Sequence, residues 1–239
     1  MTNLIKAEFY RIRHSSHLLL LIIGACISGV FISFLNETTI VTRQTLATIA
    51  PVGMIISLMT IGVCIGKHYH NRTAFYEIMD GTSAHSIILS RICVYMPLIV
   101  GFYFIPVSVF LMYFDFSGES VKFLLMLLII LLRLLVFTIC ICLTFKTADG
   151  AVLPFIRFII EFFAINLFGN GDWDVAYNSD AFSVLDWMPI CQCCLLGTEI
   201  NNIILIIKII IGCVVECAVM YALAYTSHRR KWLIKTTFT

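Results

Sequence analysis

The sequence predicts an all-α polytopic membrane protein with six transmembrane helices, and two observations carry that prediction. Of the 239 residues, 60% are hydrophobic and only 13% are charged, whereas a soluble domain carries about 25% charged residues. The hydrophobic residues also cluster into runs close to the roughly 20 residues that cross a bilayer core of about 30 Å. Polar residues fall mainly in the short connectors between these runs. We therefore expect residues 1–239 to form a single transmembrane domain.

Six apolar runs follow one another along the chain. They cover residues 18–35, 46–66, 92–114, 123–145, 151–168 and 203–225. The first run follows a basic segment, as the apolar part of a secretory signal does. However, no small-residue cleavage site closes it, and five more runs follow. We therefore expect the first run to remain in the protein as a transmembrane helix.

The basic residues of the connectors predict the orientation of the spans, because cytoplasmic loops hold an excess of Lys and Arg. With the N-terminus in the cytoplasm, only Arg43 and Lys122 lie outside. Eleven basic residues then lie inside: Lys6, Arg11, Arg13, Lys67, Arg72, Arg91, Lys146, Arg229, Arg230, Lys231 and Lys235. This arrangement places both termini in the cytoplasm, in a multi-pass protein of the plasma membrane. The net charge of +2 hides this separation of sign and gives no support for nucleic-acid binding.

The N-terminal segment, residues 1–16, precedes the first apolar run and is too polar to span. Leu4, Ile5, Phe9 and Ile12 recur there at helical spacing, and the charged residues lie largely on the other faces. This pattern is typical of an amphipathic helix that lies along the inner membrane interface. The alternative is an ordinary basic flank that only sets the topology.

The two long connectors are expected to be structured. On the cytoplasmic side, residues 67–91 contain Asp-Gly-Thr-Ser at positions 80–83. That sequence favours a turn and a new helix start, because Gly accepts positive φ and Thr or Ser caps a helix. On the outer side, residues 169–202 contain no Lys or Arg. Their apolar middle, residues 182–196, is too short to span and predicts a helix that lies at, or dips into, the outer interface.

Five ionisable residues fall inside the predicted spans: Arg133, Arg157, Glu161, Lys208 and Glu216. An isolated charge near the bilayer centre costs about 2.5–3.5 kcal/mol on insertion scales. Arg157 and Glu161 are four residues apart and share a helix face, whereas Arg133 needs Glu161, Glu216 or a carbonyl on another helix. These charges either staple helices together or line and gate a substrate path. Lys208 is expected to extend towards the outer interface.

The catalytic signatures of soluble enzymes are missing from the chain. It contains no phosphate-binding loop of the Gly-x-x-x-x-Gly-Lys type, no His-Glu-x-x-His and no Gly-x-Ser-x-Gly. We therefore expect neither an enzyme nor a cofactor site, and any ATP-driven work needs a second chain. Cys191, Cys193 and Cys194 cluster in the outer connector, in a spacing that is not a recognised zinc pattern. Packing, a disulfide among them and a metal site all stay open, and the spacing makes metal the weakest of the three alternatives.

The order of these features resembles the permease subunit of an ABC-2 type transporter, the class that includes bacterial exporters and immunity systems for peptides and drugs. The shared layout is an interfacial helix, six spans, a structured loop after the second span and a membrane-dipping segment before the sixth. Sequence likeness lies in Lys-Ala-Glu-Phe-Tyr-Arg at residues 6–11, in Asn-Arg-Thr at residues 71–73, in the turn at 80–83 and in residues 87–91.

The resemblance implies that the loop of residues 67–91 carries a coupling helix that seats on a nucleotide-binding subunit. The residues in contact with that subunit would be Thr73, Phe75, Tyr76, Glu77 and Met79. It also implies ATP and Mg²⁺ on the partner ATPase, a second permease subunit, identical or homologous, and export of an amphipathic peptide or lipophilic drug. The chain departs from family members at Arg72, where a glycine is usual, and at Ala84, where a basic residue is usual.

Two other functions are compatible with the sequence. An ion-coupled secondary carrier would use Glu161 or Glu216 as a titrating group, although the inverted repeats of such carriers are not visible in the sequence. An intramembrane enzyme would have to use the charges of the last three spans. Only Arg157 and Glu161 stand at helical spacing within one of those spans.

Overall fold

The computed structural model describes residues 2–13, 43–70, 81–145, 152–168 and 185–236. Within these ranges the chain is almost entirely helical and has no strand, which confirms the all-α prediction. The helices are α1 (Thr2–Arg13), α2 (Arg43–His70), α3 (Ala84–Ile99), α4 (Ile105–Phe114), α5 (Gly118–Phe145), α6 (Val152–Phe168), α7 (Pro189–Thr198) and α8 (Ile203–Thr236). A π-helical turn, Val100–Phe104, joins α3 to α4, and a 3-10 turn, Leu185–Trp187, precedes α7.

Four helical segments of the described part are long and apolar enough to cross a bilayer, which supports the prediction of a membrane protein. They are Leu46–Lys67, Ala84–Phe114, Gly118–Phe145 and Ile203–Ser227, and they match the second, third, fourth and sixth predicted spans. The fifth predicted span corresponds to α6, which has 17 residues. The first, residues 18–35, lies outside the described residues. The count of six spans and their orientation therefore stay predictions.

Helix α5 forms the centre of the bundle. Its Phe123, Leu127, Leu131 and Leu135 are fully buried, and α8 packs along much of its length, with α2, α3 and α7 also against it. Burial of apolar side chains at helix interfaces gives a close-packed interior. Arg133 lies on this central helix, and Glu216 of α8 and Arg157 of α6 contact it.

The bundle has two polar ends, which we call the Arg43 end and the His85 end. At the Arg43 end, Arg43 Nε lies 3.4 Å from Asp115 Oδ2, and Arg43 also pairs with Glu119. At the His85 end, the His85 ring is hydrogen-bonded to the Tyr221 hydroxyl. These contacts join the start of α2 to the α4–α5 connection, and the start of α3 to the C-terminal half of α8.

The third predicted span begins earlier than its hydropathy suggested, at Ala84 instead of residue 92. Gly81 has a φ of 71°, and the Ser83 hydroxyl accepts a hydrogen bond from Ser86 N at 3.2 Å. This is the turn and helix cap that the Asp-Gly-Thr-Ser segment predicted. The helix then remains continuous to residue 114, because the π-helical turn between Pro97 and Pro106 accommodates the backbone that proline disturbs.

Helix α1 forms over Thr2–Arg13, but the face that packs against the bundle differs from the predicted apolar face and carries a charge. Glu8 is buried together with Ile12, whereas Phe9 and Tyr10 are exposed. Glu8 lies 3.4 Å from Arg91 Nη2 of α3, and the Arg91 side chain is itself almost fully buried. The expectation that the charges of this segment lie largely on other faces is therefore wrong for Glu8. An ion pair, together with apolar contact, holds α1 against α3.

Helix α7 crosses the start of α2 at close range. A Cβ atom on Gly197 would lie 2.8 Å from Ala47 Cβ and 3.1 Å from Gln44 Cα, so only glycine permits this approach. Proline lacks an amide hydrogen, so Pro51 leaves the Ala47 carbonyl of α2 without its helical donor. The Cys193 thiol of α7 contacts that carbonyl at 3.6 Å. A thiol of the neighbouring helix α7 therefore contacts the carbonyl that Pro51 leaves without a helical hydrogen bond.

Candidate functional site

The N-terminus of α7 lies inside the bundle. Its ten residues make a helix of about 15 Å, half the roughly 30 Å depth of a bilayer core. Pro189 opens it, a position that suits proline because the first amides of a helix have no helical acceptor. The Ile190 amide donates to Glu161 Oε2 of α6 at 3.0 Å. A carboxylate at the positive end of a helix dipole is stabilising, so Glu161 holds the start of α7.

Arg133, in the middle of α5, has a partner for each of its guanidinium nitrogens. Its Nε donates to Glu216 Oε2 of α8 at 2.7 Å. Its Nη1 donates to Gln192 Oε1 at 2.9 Å, and its Nη2 donates to the Trp187 carbonyl at 2.9 Å. A Cβ atom on Gly212 would lie 2.8 Å from Arg133 Nη1. The glycine therefore makes room on α8 for this guanidinium.

Arg157 of α6 pairs with two carboxylates. Its Nε donates to Glu161 Oε1 at 2.7 Å, which is the pair that their spacing predicted. Its Nη2 donates to Glu216 Oε2 at 3.1 Å, and its Nη1 also donates to Glu216. The guanidinium carbon lies 4.1 Å from the centre of the Phe137 ring, a cation–π distance. Glu216 thus bridges two arginines on two different helices.

A second ion pair lies beside the first cluster. Lys208 Nζ of α8 donates to Asp186 Oδ2 at 2.9 Å, and both side chains are buried. The expectation that Lys208 extends to the outer interface is therefore wrong, because an acidic partner lies at its own depth. Gln192 Nε2 donates to the Asp186 carbonyl at 2.8 Å. Since Gln192 also accepts from Arg133, this fully buried amide joins the two charged groups.

Among the described residues, an open cleft of about 900 Å³ lies over this network. That volume is at the upper end of the range typical of ligand pockets. Four charged residues line the cleft: Arg133, Arg157, Glu161 and Glu216. Its walls are apolar and come from α5, α6 and α8: Phe137, Ile141, Leu153, Ile156, Ile160, Ile211, Val215, Val219 and Met220. Trp187, Met188 and Pro189 close the end next to α7.

The cleft exists because α6 and α8 do not pack closely against each other. Helix α6 rests mainly on α2 and α7, while α8 rests mainly on α5. The hydrogen bonds from Arg157 to Glu216 reach across the space between α6 and α8. A polar contact therefore joins two helices that have little apolar contact of their own.

The four charged residues selected from the sequence, Arg133, Arg157, Glu161 and Glu216, meet at one place. Thr73, Phe75, Tyr76, Glu77 and Met79 lie outside the described residues, so their coupling role stays a prediction. The cysteines of α7 are free thiols buried in the bundle. These surroundings match the packing alternative for Cys191, Cys193 and Cys194, and the disulfide stays a prediction.

Sequence reasoning missed three contributors to the network. Gln192 and the Trp187 carbonyl lie in the outer connector, whose apolar middle was predicted to form a helix at the outer interface without a role for its polar groups. Gly212 is one of 13 glycines. Gln192 is an amide within the apolar segment Pro189–Thr198. This was a signal of a polar contact, since a buried amide needs hydrogen-bond partners. Nothing in the sequence distinguishes Gly212 from the other glycines.

The two arginines and two glutamates form a charge-balanced cluster inside an apolar helical bundle. Each charge of the cluster faces one of opposite sign, which is the condition under which ionisable groups are tolerated there. The network connects α5, α6, α7 and α8, and it also forms the floor of the cleft. Comparisons of the chain with family models, with curated proteins and with solved structures find no match.

Proposed function

We propose that this chain is the membrane-spanning permease subunit of an ATP-driven exporter, which moves an amphipathic peptide or lipophilic drug out of the cytoplasm or inner leaflet. The observation that carries the proposal is the cleft between α6 and α8. Its apolar walls suit a lipophilic compound, and the Arg157–Glu216 pair at its floor suits the polar end of such a compound. A bundle whose only purpose was to anchor the chain would not need an open cleft over a buried ionic network.

The energy source in this proposal is a separate ATPase, because the chain contains no phosphate-binding loop. The ATPase would dock on the loop of residues 67–91, at the His85 end, and this end would be cytoplasmic. Two permease subunits, identical or homologous, would complete the transporter. In this arrangement six helices span the plasma membrane, both termini are cytoplasmic and α1 lies at the inner interface.

Thiol labelling tests the orientation in this proposal. Phe116, between α4 and α5, is highly exposed at the Arg43 end, and Lys67 is exposed near the other end. A membrane-impermeant maleimide should react with a Phe116→Cys variant in intact cells. A Lys67→Cys variant should react only after permeabilisation. Reaction of Lys67→Cys in intact cells, with none at Phe116→Cys, would contradict the orientation.

Co-purification with a P-loop ATPase tests the partner. The chain, extracted in mild detergent, should retain the ATPase, and the Tyr76→Ala/Glu77→Ala variant should lose it. The matched control is Tyr113→Ala/Glu199→Ala, which changes the same two residue types at exposed positions of the Arg43 end. The control should retain the ATPase. A chain that purifies alone and moves its substrate in liposomes without ATP would contradict the proposal.

An ion-coupled secondary carrier is the second candidate, and the position of the carboxylates favours it. Glu161 and Glu216 both line the cleft, as a coupling-ion site would require. Proton-driven uptake into liposomes that lack ATP, abolished by Glu216→Gln, would support this candidate over the first.

A further inference from the structure

The charged groups at the floor of the cleft differ in accessibility. The side chains of Arg157 and Glu216 are 16% and 19% exposed, whereas those of Arg133 and Glu161 are each 6% exposed. Arg133 and Glu161 are also tied to polar groups at the start of α7. The charged groups that a molecule in the cleft meets first are therefore those of the Arg157–Glu216 pair.

We propose that the cleft binds a zwitterionic amphiphile, a molecule with apolar chains and a head group that carries one positive and one negative charge. The chains would lie against the apolar walls of α5, α6 and α8. The head group would insert into the Arg157–Glu216 pair. This inference deepens the proposed function and rests on it in one respect, since it names the class of compound that the permease would carry.

Charge balance selects a zwitterion over the alternatives. The two arginines and two glutamates that line the cleft sum to zero. A ligand with a net charge would leave one charge without a partner at this depth, which is strongly unfavourable. A zwitterion lets its anionic group accept from Arg157 while its ammonium donates to Glu216, so every charge keeps a partner. An uncharged amphiphile gains neither of these charge-assisted hydrogen bonds.

Arg157 is held in a position suited to this exchange. Its Nε stays bonded to Glu161, and the guanidinium faces the Phe137 ring. The two Nη atoms are those that point to Glu216. A guanidinium edge binds phosphate or carboxylate oxygens through two parallel hydrogen bonds. Because α6 and α8 have little other contact, the pair can open without separating packed apolar surfaces.

Trp187 lies in the lining of the cleft, so its fluorescence reports what enters. The full chain carrying Trp173→Phe and Trp232→Phe has Trp187 as its one tryptophan, since the sequence contains three. In detergent it would be titrated with four amphiphiles that share the same brominated acyl chains. Their head groups are zwitterionic phosphoethanolamine, anionic phosphoglycerol, uncharged glycerol and a quaternary ammonium cation. Bromine quenches tryptophan on contact.

The zwitterionic amphiphile should quench Trp187 at about a tenfold lower concentration than the other three, the effect of one hydrogen bond to a charged group. Equal or tighter binding of any of the other three would overturn the proposal. Quenching by none of the four would show that something else covers the cleft, such as a second copy of the chain, and would overturn it as well. This comparison uses wild-type residues at the floor of the cleft, so it does not depend on the folding of a charge variant.

Two variants locate the binding within the cleft. Arg157→Gln/Glu216→Gln keeps the summed charge of the cleft lining at zero. In this variant the zwitterionic amphiphile should bind no more tightly than the uncharged one, which should still quench. Val215→Phe places a larger side chain in the apolar wall, where it occupies part of the cleft. This variant should weaken quenching by all four amphiphiles. An unchanged zwitterion preference in the double variant would contradict the proposal.

The assay contains no ATPase, so the two proposals fail separately. Zwitterion binding without ATP-driven transport would overturn the proposed function alone. ATP-driven transport without the zwitterion preference would overturn this inference alone.

Discussion

Replacing Glu216 by glutamine should destabilise the bundle strongly, because this carboxylate is shared by two arginines. Glutamine keeps the size of the side chain but removes its charge, which leaves Arg133 Nε and both Arg157 Nη atoms without an anionic acceptor. Removing one partner of a buried ion pair costs about 3–5 kcal/mol. We use the low end because the Glu216 side chain is 19% exposed.

A loss of about 3 kcal/mol corresponds to a fall in Tm of roughly 6–12 °C, at about 2–4 °C per kcal/mol for a chain of this size. The assay is thermal unfolding of the purified chain in detergent, followed by a maleimide dye that reacts as buried thiols become exposed. Eight of the nine free cysteines in the described residues are buried or half-buried, so the dye reports opening of the bundle.

The matched control is Glu119→Gln, which changes the same residue type at the exposed Arg43 end. Exposed ion pairs contribute little to stability, so its Tm should stay close to that of the wild type. Arg157→Gln/Glu216→Gln should be more stable than the sum of its single changes predicts, because both single changes remove the same Arg157–Glu216 contact. A Glu216→Gln shift no larger than that of Glu119→Gln would refute the reasoning.

Three further predictions follow from single positions. Gly212→Ala should lower Tm by displacing the Arg133 guanidinium, because the new Cβ would lie 2.8 Å from its Nη1. Gly212→Ser, measured in parallel, should lower Tm at least as much. Gly197→Val should separate α7 from α2 and speed maleimide labelling of the cysteines on α7, and an unchanged labelling rate would contradict that packing. The hydrogen bond from the Ser120 hydroxyl, and to a smaller extent Arg43, lower the pKa of Asp115. The ionised Asp115 carboxylate therefore stabilises the folded protein above the ordinary aspartate pKa, and this contribution is lost as the pH falls through the lowered pKa. The Tm difference between wild type and Asp115→Asn should therefore shrink as the pH is lowered through that range, and a constant difference would contradict the assignment.

Hydropathy predicted the long helices well, because a span needs only a run of apolar residues of sufficient length. It placed the start of the third span too late, since residues 84–91 contain His85, two serines and Arg91. These polar residues continue the helix because Arg91 is buried against Glu8 of α1. That partner lies more than 80 residues away, so no local window reveals it.

The composition of the charged site was predictable, and its connections were only partly so. The cost of an intramembrane charge identified Arg133, Arg157, Glu161 and Glu216, and the i, i+4 spacing identified one of the pairs. That Glu216 bridges both arginines depends on how α6 and α8 are rotated about their axes, which packing decides. The same holds for Lys208, whose acidic partner is carried into the bundle by the connector before α7.

The length of α7 illustrates a further limit. The apolar run at residues 182–196 was too short to span, which predicted a helix at the interface or dipping below it. The structure has a helix of ten residues within the bundle, held at its start by Glu161 and at its end by Gly197. Composition suggested that the segment is apolar, but only the tertiary contacts show that its N-terminus meets the charged network.

The most direct test of the central claim is transport through the cleft. The chain, reconstituted with the P-loop ATPase that co-purifies with it, would be assayed for ATP-dependent movement of a chain-labelled lipophilic dye across liposome membranes. We expect movement with the wild type and its loss in Val215→Phe, which fills the cleft wall but keeps the ATPase bound. Movement at the wild-type rate in that variant, or movement without ATP, would contradict the account.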